Sequence, residues 1–96
     1  MTVPQLTDDE LSTWLSVLPE WEVVRDGKAI HRQLKFADFA EAFAFMTRVA
    51  FIADKRDHHP EWSNVYDTLD ITLTTHDADG LSVRDMNLAK EIDSLL

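Results

Sequence analysis

The chain has 96 residues, with 9 lysines and arginines, 18 aspartates and glutamates, and no cysteine. This length fits one domain with a single hydrophobic core, expected to span residues 1–96. The net charge of -9 argues against binding to nucleic acid or an anionic membrane, because both need a basic surface. Disulfide and thiolate chemistry are excluded. No basic segment followed by an apolar run opens the sequence, so we expect a cytoplasmic protein.

The first third of the chain predicts a helix followed by a β-hairpin. Thr7 to Glu10 has the pattern of a capping box. Apolar residues then recur at helical spacing, with Pro19 just past the expected end: Leu11, Trp14, Leu15 and Leu18. Asp26-Gly27 is a turn signal between two strand-like runs. In the second run, alternation places Arg32 and three apolar residues on the face expected to meet the core: Ile30, Leu34 and Phe36.

The segment from Phe39 to Asp57 predicts a long helix, with Asp38 as its N-cap. Its apolar stripe is predicted to comprise Phe39, Phe43, Met46, Ala50 and Ala53. Further apolar residues widen this stripe beyond one face: Phe45, Val49, Phe51 and Ile52. A helix this apolar is expected to pack on more than its own sheet, so the sequence predicts a homo-oligomer.

The second half predicts another hairpin and a third helix. Its bend is expected at Tyr66 to Thr68, with three side chains directed inward from the last strand: Leu69, Ile71 and Leu73. After a loop at 78–80, Ser82 to Asp85 forms a second capping-box pattern. The third helix is expected to bury Met86, Ala89, Ile92 and Leu96. The fold class is therefore α+β, with three helices and a four-stranded antiparallel sheet in the order α-β-β-α-β-β-α.

Two adjacent histidines, His58 and His59, lie at the predicted end of the second helix. Pro60 disfavours a helical backbone at His59, so the helix should end at about His58 and the two rings should point in different directions. Asp54, one turn earlier, could hydrogen-bond the His58 ring. His76 ends the last strand and could close on the pair from across the sheet.

Other interpretations of these residues are open at this point. A histidine beside carboxylates at a helix end is often only a cap, and Asp85 is most simply a cap as well. Histidine and aspartate also bind metals, although a His-x-x-x-His spacing is absent. His31 is most simply a solvated strand residue. Trp62 and Tyr66 are either half-buried sheet residues or the wall of a ring-binding pocket.

Taken together, these residues resemble the pterin-4a-carbinolamine dehydratase family. The resemblance runs from about Trp21 to Asp93, does not cover the first helix, and departs at Asp54, where the family more often has glutamate. It is carried by Asp54-x-x-x-His58-His59-Pro60 with Tyr66, His76 and Asp85 at the family's spacings. It is also carried by several stretches: 45–50, 58–62, 64–66, 71–73, 75–76, 80–82 and 84–85.

The resemblance implies a lyase that dehydrates 4a-hydroxytetrahydropterin to quinonoid dihydropterin without a metal or organic cofactor (4a-hydroxytetrahydrobiopterin dehydratase). Its substrate is the 4a-carbinolamine left by aromatic amino-acid hydroxylases, so the activity recycles their pterin cofactor. Imidazoles titrate near neutral pH and suit both proton transfers. The expected catalytic residues are His58, His59 and His76. These histidines and their neighbours are expected to bind the pterin, namely Asp57, Thr74, Thr75 and Asp77, with Asp54 and Asp85 as supports.

The resemblance also implies a homodimer in which sheets join edge to edge, and in some members a homotetramer formed through the second helix. A contrasting interpretation is a non-catalytic protein-interaction or dimerisation module, since some animal members also bind a transcription factor. The intact histidine set favours catalysis, because a scaffold has no use for three histidines at these spacings.

Overall fold

The computed structural model describes residues 3–96, so the first two residues of the expected domain lie outside the described range. Its elements are α1 (Asp8–Leu15), β1 (Glu22–Val24), β2 (Ala29–Lys35), α2 (Phe39–Arg56), β3 (Glu61–Val65), β4 (Thr68–Leu73) and α3 (Val83–Ser94). A 3₁₀ turn at His76–Ala78 lies between β4 and α3. Within these residues the predicted α+β order α-β-β-α-β-β-α is confirmed.

The four strands form one antiparallel sheet in the order β1-β2-β4-β3. β4 is central and pairs with β2 on one side and β3 on the other, with Ile71 opposite both Arg32 and Trp62. β1 and β3 are the two edges. Because β4 is held on both sides, the segment that follows it, beginning with Thr74, leaves the sheet from a fixed position.

The core lies between one face of this sheet and the helices α2 and α3. The predicted inward residues of β4 are fully buried: Leu69, Ile71 and Leu73. Burying side chains of this size stabilises the fold by about 1.5–3 kcal/mol each. Arg32 also faces α3, where its Nη1 donates to Oδ1 of Asp93 at 2.7 Å. The opposite sheet face carries polar residues.

Both predicted capping boxes are present. Thr7 caps α1 with Glu10 as its reciprocal partner, and Ser82 caps α3 with Asp85. These contacts satisfy backbone N–H groups that would otherwise lack partners at a helix start. The third helix ends at Ser94, so Leu96, predicted as a helical core residue, lies beyond it and is exposed.

The buried face of α2 differs from the predicted stripe. Its buried residues are Ala42, Phe45, Val49 and Ala53. Phe39 and Phe43 are instead 49% and 55% exposed, and they contact each other with ring centroids 5.7 Å apart. The buried positions 42, 45, 49 and 53 recur at helical spacing, so the face toward the sheet is rotated from the predicted stripe, of which only Ala53 is buried and Met46 partly buried. Among the helices of residues 3–96, none combines the length and apolar character that a membrane crossing requires.

Candidate active site

The end of α2 sets the positions of the two adjacent histidines. The helix ends at Arg56 rather than at about His58, because Asp57 takes a left-handed backbone conformation with φ 50 and ψ 42. The N–H of His58 then donates to the carbonyl of Ala53 at 3.1 Å, a bond that commonly closes such helix ends. Pro60 follows and β3 begins at Glu61. The chain therefore reverses direction sharply at the two histidines.

The segment after β4 forms a wall that faces the two histidines. Thr75 exchanges two backbone hydrogen bonds with Gly80, at 2.9 and 3.3 Å, which closes the short loop containing the 3₁₀ turn. His76 does not end the last strand as predicted: β4 ends at Leu73, and His76 opens the 3₁₀ turn inside this closed loop. Its side chain is exposed.

A cleft of about 310 Å³ lies between these two walls. It brings together every residue expected to contact substrate: Asp57, His58, His59, Thr74, Thr75, His76 and Asp77. Two further residues, Glu61 and Arg84, also line the cleft, and the sequence had given neither a role. Trp62 and Tyr66 do not line it. Trp62 packs half-buried against the core and Tyr66 is exposed at the β3–β4 turn.

The side chain of Asp85 is fully buried beside the cleft and is more than a helix cap. Its Oδ1 lies 2.6 Å from Nε2 of His58. Its Oδ2 accepts from the Thr75 hydroxyl at 2.7 Å and from the Ser82 N–H at 3.0 Å. A carboxylate can only accept hydrogen bonds, so the 2.6 Å contact with Oδ1 needs a proton on the histidine nitrogen that makes it. His58 therefore carries its proton on Nε2.

The hydroxyl groups beside Asp85 have one consistent arrangement of protons. Because Thr75 donates its only hydroxyl proton to Asp85, the Ser82 hydroxyl must donate to Thr75 across their 2.6 Å contact. The Ser82 oxygen then accepts from the N–H of Arg84 at 3.2 Å. In residues 3–96 no buried side-chain polar atom lacks a partner. The network thus fixes the ring of His58 rigidly.

Asp54 does not hold His58 as the sequence predicted. Its Oδ1 lies 3.0 Å from Nε2 of His59, and both side chains are exposed. The left-handed residue Asp57 turns the chain so that His59 returns over the last turn of α2, while His58 is directed toward α3. Each histidine of the pair therefore has its own carboxylate, one exposed and one buried.

Glu61 carries a charge at the edge of the cleft. Its Oε1 accepts from Nη2 of Arg25 at 2.7 Å. This hydrogen bond lowers the pKa of Glu61 below its ordinary value, and the nearby His76 favours the ionised carboxylate further. No local sequence signal indicates this contact, because Arg25 lies 36 residues earlier in the β1–β2 turn.

His31 lies away from the cleft and is not simply solvated. Its Nδ1 lies 3.2 Å from Glu22 and its Nε2 lies 2.9 Å from Asp70, on the polar face of the sheet. Among residues 3–96, no group of three or more histidine, aspartate or glutamate side chains converges closely enough to hold a metal ion.

Comparison with known proteins identifies close relatives. The family described as Pterin 4 alpha carbinolamine dehydratase matches residues 4–95, which includes α1. A protein from Novosphingobium aromaticivorans is 56% identical over the full length of both chains and is named provisionally as a pterin-4-alpha-carbinolamine dehydratase. A protein of the same provisional name from Burkholderia orbicola is 57% identical over 91 residues, covering 95% of this chain and 89% of that one.

Two solved structures are similar in fold. A transcriptional coactivator/pterin dehydratase from Brucella melitensis is 41% identical and superposes with a TM-score of 0.90, covering 95% of this chain and 97% of that one. A pterin dehydratase-like protein identified as a RuBisCO assembly factor in the alpha-carboxysome has a TM-score of 0.69 at 19% identity, covering 79% and 88% of the two chains. The second comparison shows likeness of fold alone.

Proposed function

Because the chain belongs to the pterin 4 alpha carbinolamine dehydratase family, we propose that it is a hydro-lyase that converts 4a-hydroxytetrahydropterin to quinonoid dihydropterin and water. The observation that carries this proposal is the convergence of His58, His59 and His76 on one cleft. We also propose a cytoplasmic location and a functional link to an aromatic amino-acid hydroxylase, whose spent pterin cofactor the reaction would recycle.

The reaction needs two proton transfers and no redox step. The bond between C4a and the hydroxyl oxygen breaks, and the hydroxyl group leaves as water after gaining a proton. The neighbouring N5 loses its proton to a base, and its electron pair forms the new double bond to C4a. Positioned imidazoles contribute roughly 10²–10⁴-fold to reactions of this kind.

We assign His58 as the base that removes the N5 proton. Its Nε2–H is engaged by Asp85, so Nδ1 is the nitrogen that remains to accept a proton. The buried carboxylate holds the ring in one tautomer and stabilises the imidazolium that forms, as in other His–Asp pairs. Asp85 is therefore a positioning residue, and Thr75 and Ser82 fix it in turn.

His76 is the group that we assign to protonate the leaving hydroxyl. It lies on the opposite wall of the cleft from His58, so the two rings can serve the two reacting atoms of one bound pterin. His59, oriented by Asp54, would contact the leaving hydroxyl or the ring edge. Asp57, Thr74 and Asp77 would supply the remaining polar contacts to the pterin, and Thr75, whose buried hydroxyl is engaged by Asp85 and Ser82, would contact it only as part of the cleft wall.

A homo-oligomer is part of the proposal. Phe39, Phe43 and Phe51 are 49%, 55% and 75% exposed on α2, which is more apolar surface than a helix facing water normally carries. The edge strands β1 and β3 each present one unpaired side to solvent. A dimer joined at a sheet edge, or a tetramer joined through α2, would cover these surfaces.

The same phenylalanines favour a second candidate function, a protein-interaction module without catalysis. The similar Brucella melitensis protein is described as a transcriptional coactivator as well as a pterin dehydratase. A folded protein that binds a partner through α2 and leaves the dehydration rate unchanged would support this second function over the first.

The test of the dehydratase proposal is the rate at which 4a-hydroxytetrahydropterin, generated by a pterin-dependent hydroxylase, loses water. Ultraviolet absorbance follows the product. Acceleration by the wild type that is lost in the double variant His58→Ala/His76→Ala is the expected result. A folded wild type that gives only the uncatalysed rate contradicts the proposal.

A further inference from the structure

The segment before α1 lies against the loop that carries His76. Nε2 of Gln5 donates to the carbonyl of Asp79 at 3.1 Å, a contact between residues that are 74 positions apart. The N–H of Leu6 donates to the carbonyl of Leu81 at 2.9 Å. These two bonds fasten residues 5–6 along the end of the loop. None of the roles assigned above involves this segment.

Asp79 connects Gln5 to the backbone of His76. The N–H of Asp79 donates to the carbonyl of His76 at 3.0 Å, while its own carbonyl accepts from Gln5. Asp79 has φ 51 and ψ 40, a left-handed conformation that is uncommon outside glycine. Gln5 therefore holds the residue at which the chain turns out of the 3₁₀ turn, and two hydrogen bonds separate its amide from the His76 backbone.

Gly80 makes room for the amide of Gln5. Its φ of 156 lies in a region that glycine adopts more readily than other residues. A Cβ atom at this position would clash with Nε2 of Gln5. The same glycine exchanges two backbone hydrogen bonds with Thr75. Gly80 thus closes the loop on one side and admits the Gln5 amide on the other.

Helix α1 fixes the position of residues 5–6. In its capping box the N–H of Thr7 donates to Oε1 of Glu10 at 2.9 Å, and the N–H of Glu10 donates to the Thr7 hydroxyl at 3.1 Å. Leu6, Leu11 and Trp14 are partly buried against the core. Because Leu6 directly precedes the cap, Gln5 extends toward the loop from an anchored point.

We propose that Gln5 is a positioning residue for the dehydration reaction, because it holds the loop at 74–80 in the conformation that directs His76 into the cleft. This inference rests on the proposed function and gives the segment before α1 a part in it. His58 is held by Asp85 through its own ring. The imidazole of His76 is exposed, so its position depends on the backbone that carries it.

The test combines amide hydrogen exchange at Thr75 and Gly80, measured by NMR, with kcat in the dehydration assay. Gln5→Glu keeps the size of the side chain but removes the donor. We expect exchange at both amides to become about 2- to 10-fold faster and kcat to fall about 2- to 10-fold. Gln5→Lys supplies a donor of similar reach and should stay within about twofold of the wild type in both measurements.

Two substitutions away from the loop are the controls. Gln33→Glu removes an exposed amide donor of the same kind, which lies 3.2 Å from Asp70 on the polar face of the sheet. Lys90→Met changes the net charge by the same amount as Gln5→Glu, at an exposed residue of α3 outside the cleft. Both variants should keep the wild-type exchange rates at Thr75 and Gly80 and the wild-type kcat. Urea denaturation should show that Gln5→Glu lowers the free energy of unfolding no more than Gln33→Glu does.

Unchanged exchange at Thr75 and Gly80 in Gln5→Glu overturns the inference. Faster exchange with an unchanged kcat also overturns it, as does a kcat loss of equal size in Gln33→Glu. A wild type that gives only the uncatalysed rate rejects the dehydratase proposal instead. Because amide exchange needs no substrate, the exchange rates then decide by themselves whether Gln5 holds the loop.

Discussion

Nε2 of His58 lies 2.6 Å from Oδ1 of Asp85, a carboxylate fully buried in the first turn of α3. The contact joins the end of α2 to the start of α3 across 27 residues of sequence. A buried aspartate in this position orients the imidazole and also stabilises the fold, so the two effects should be separable by substitution.

Asp85→Asn should lower both stability and turnover. The amide nitrogen would face at least one of the three donors that now surround the carboxylate, which leaves buried groups unpaired. We expect a loss of about 3–5 kcal/mol in the free energy of unfolding and of about 10²–10⁴-fold in kcat. Urea denaturation and the dehydration assay measure the two effects.

Asp93→Asn is the matched control. Asp93 lies on the same helix and accepts from Trp21 and Arg32 outside the cleft. The Asp93→Asn substitution should lower the free energy of unfolding, while kcat of the folded protein stays unchanged. Equal losses of kcat in both variants would show that Asp85 acts only through stability.

The hydroxyl pair behind Asp85 should be energetically coupled. Thr75→Val removes a donor to Asp85 and the acceptor for Ser82, which should cost about 1–3 kcal/mol in the free energy of unfolding. Ser82→Ala removes the other member of the same chain. In a double-mutant cycle, we expect an interaction energy of about 0.5–3 kcal/mol. Additive effects of the two substitutions would mean that the hydroxyls do not form the chain described.

The pKa of the Glu61 carboxyl should lie below its ordinary value of 4.5. Its pKa is lowered chiefly by the hydrogen bond from Arg25 and also by the charge of that residue and of His76. A lowered pKa in the folded state means that the pair stabilises the protein above pH 4.5 and that this contribution is lost as pH falls through the folded-state value. The effect is small because the pair is exposed.

An NMR titration of the Glu61 side chain checks the direction of the shift. Arg25→Met should return the midpoint toward 4.5, and added salt should do so in part because it screens exposed charges. A wild-type midpoint at or above 4.5 would show that the Arg25–Glu61 pair does not form in solution.

The outward face of α2 should control the oligomeric state. Phe43→Glu places a charge in the exposed apolar patch, so the mass measured by light scattering should fall below that of the wild type. Val17→Glu, at a residue 60% exposed near the end of α1, is the control and should leave the mass unchanged. A monomeric wild type, or a mass insensitive to Phe43→Glu, would contradict an interface through this helix.

Local patterns in the sequence predicted much of the fold. The capping boxes at Thr7 and Ser82 and the alternation of Leu69, Ile71 and Leu73 depend on residues only a few positions apart, and the structure has them as predicted. The predicted face of α2 was wrong because apolar residues lie on several sides of this helix, so their spacing alone does not say which side meets the sheet: Phe45 and Val49 are buried, whereas Phe39 and Phe43 are exposed.

The partners of the histidines could not be predicted in the same way. Asp54 is one helical turn from His58, so a straight helix would bring them together. The left-handed conformation of Asp57 removes that geometry, and Asp85 takes its place from a distant helix. The contact between Arg25 and Glu61 likewise depends on the shape of a turn and on the strand order.

The measurement that tests the central claim most directly is the dehydration rate of 4a-hydroxytetrahydropterin for the wild type, His76→Ala and Lys90→Met. A histidine acid–base site predicts acceleration by the wild type and Lys90→Met, with a loss of roughly 10²–10⁴-fold in His76→Ala. His76 is exposed and outside the core, so this variant should remain folded, as circular dichroism would verify. A folded His76→Ala protein that retains the wild-type rate would contradict the claim that these histidines form one catalytic site.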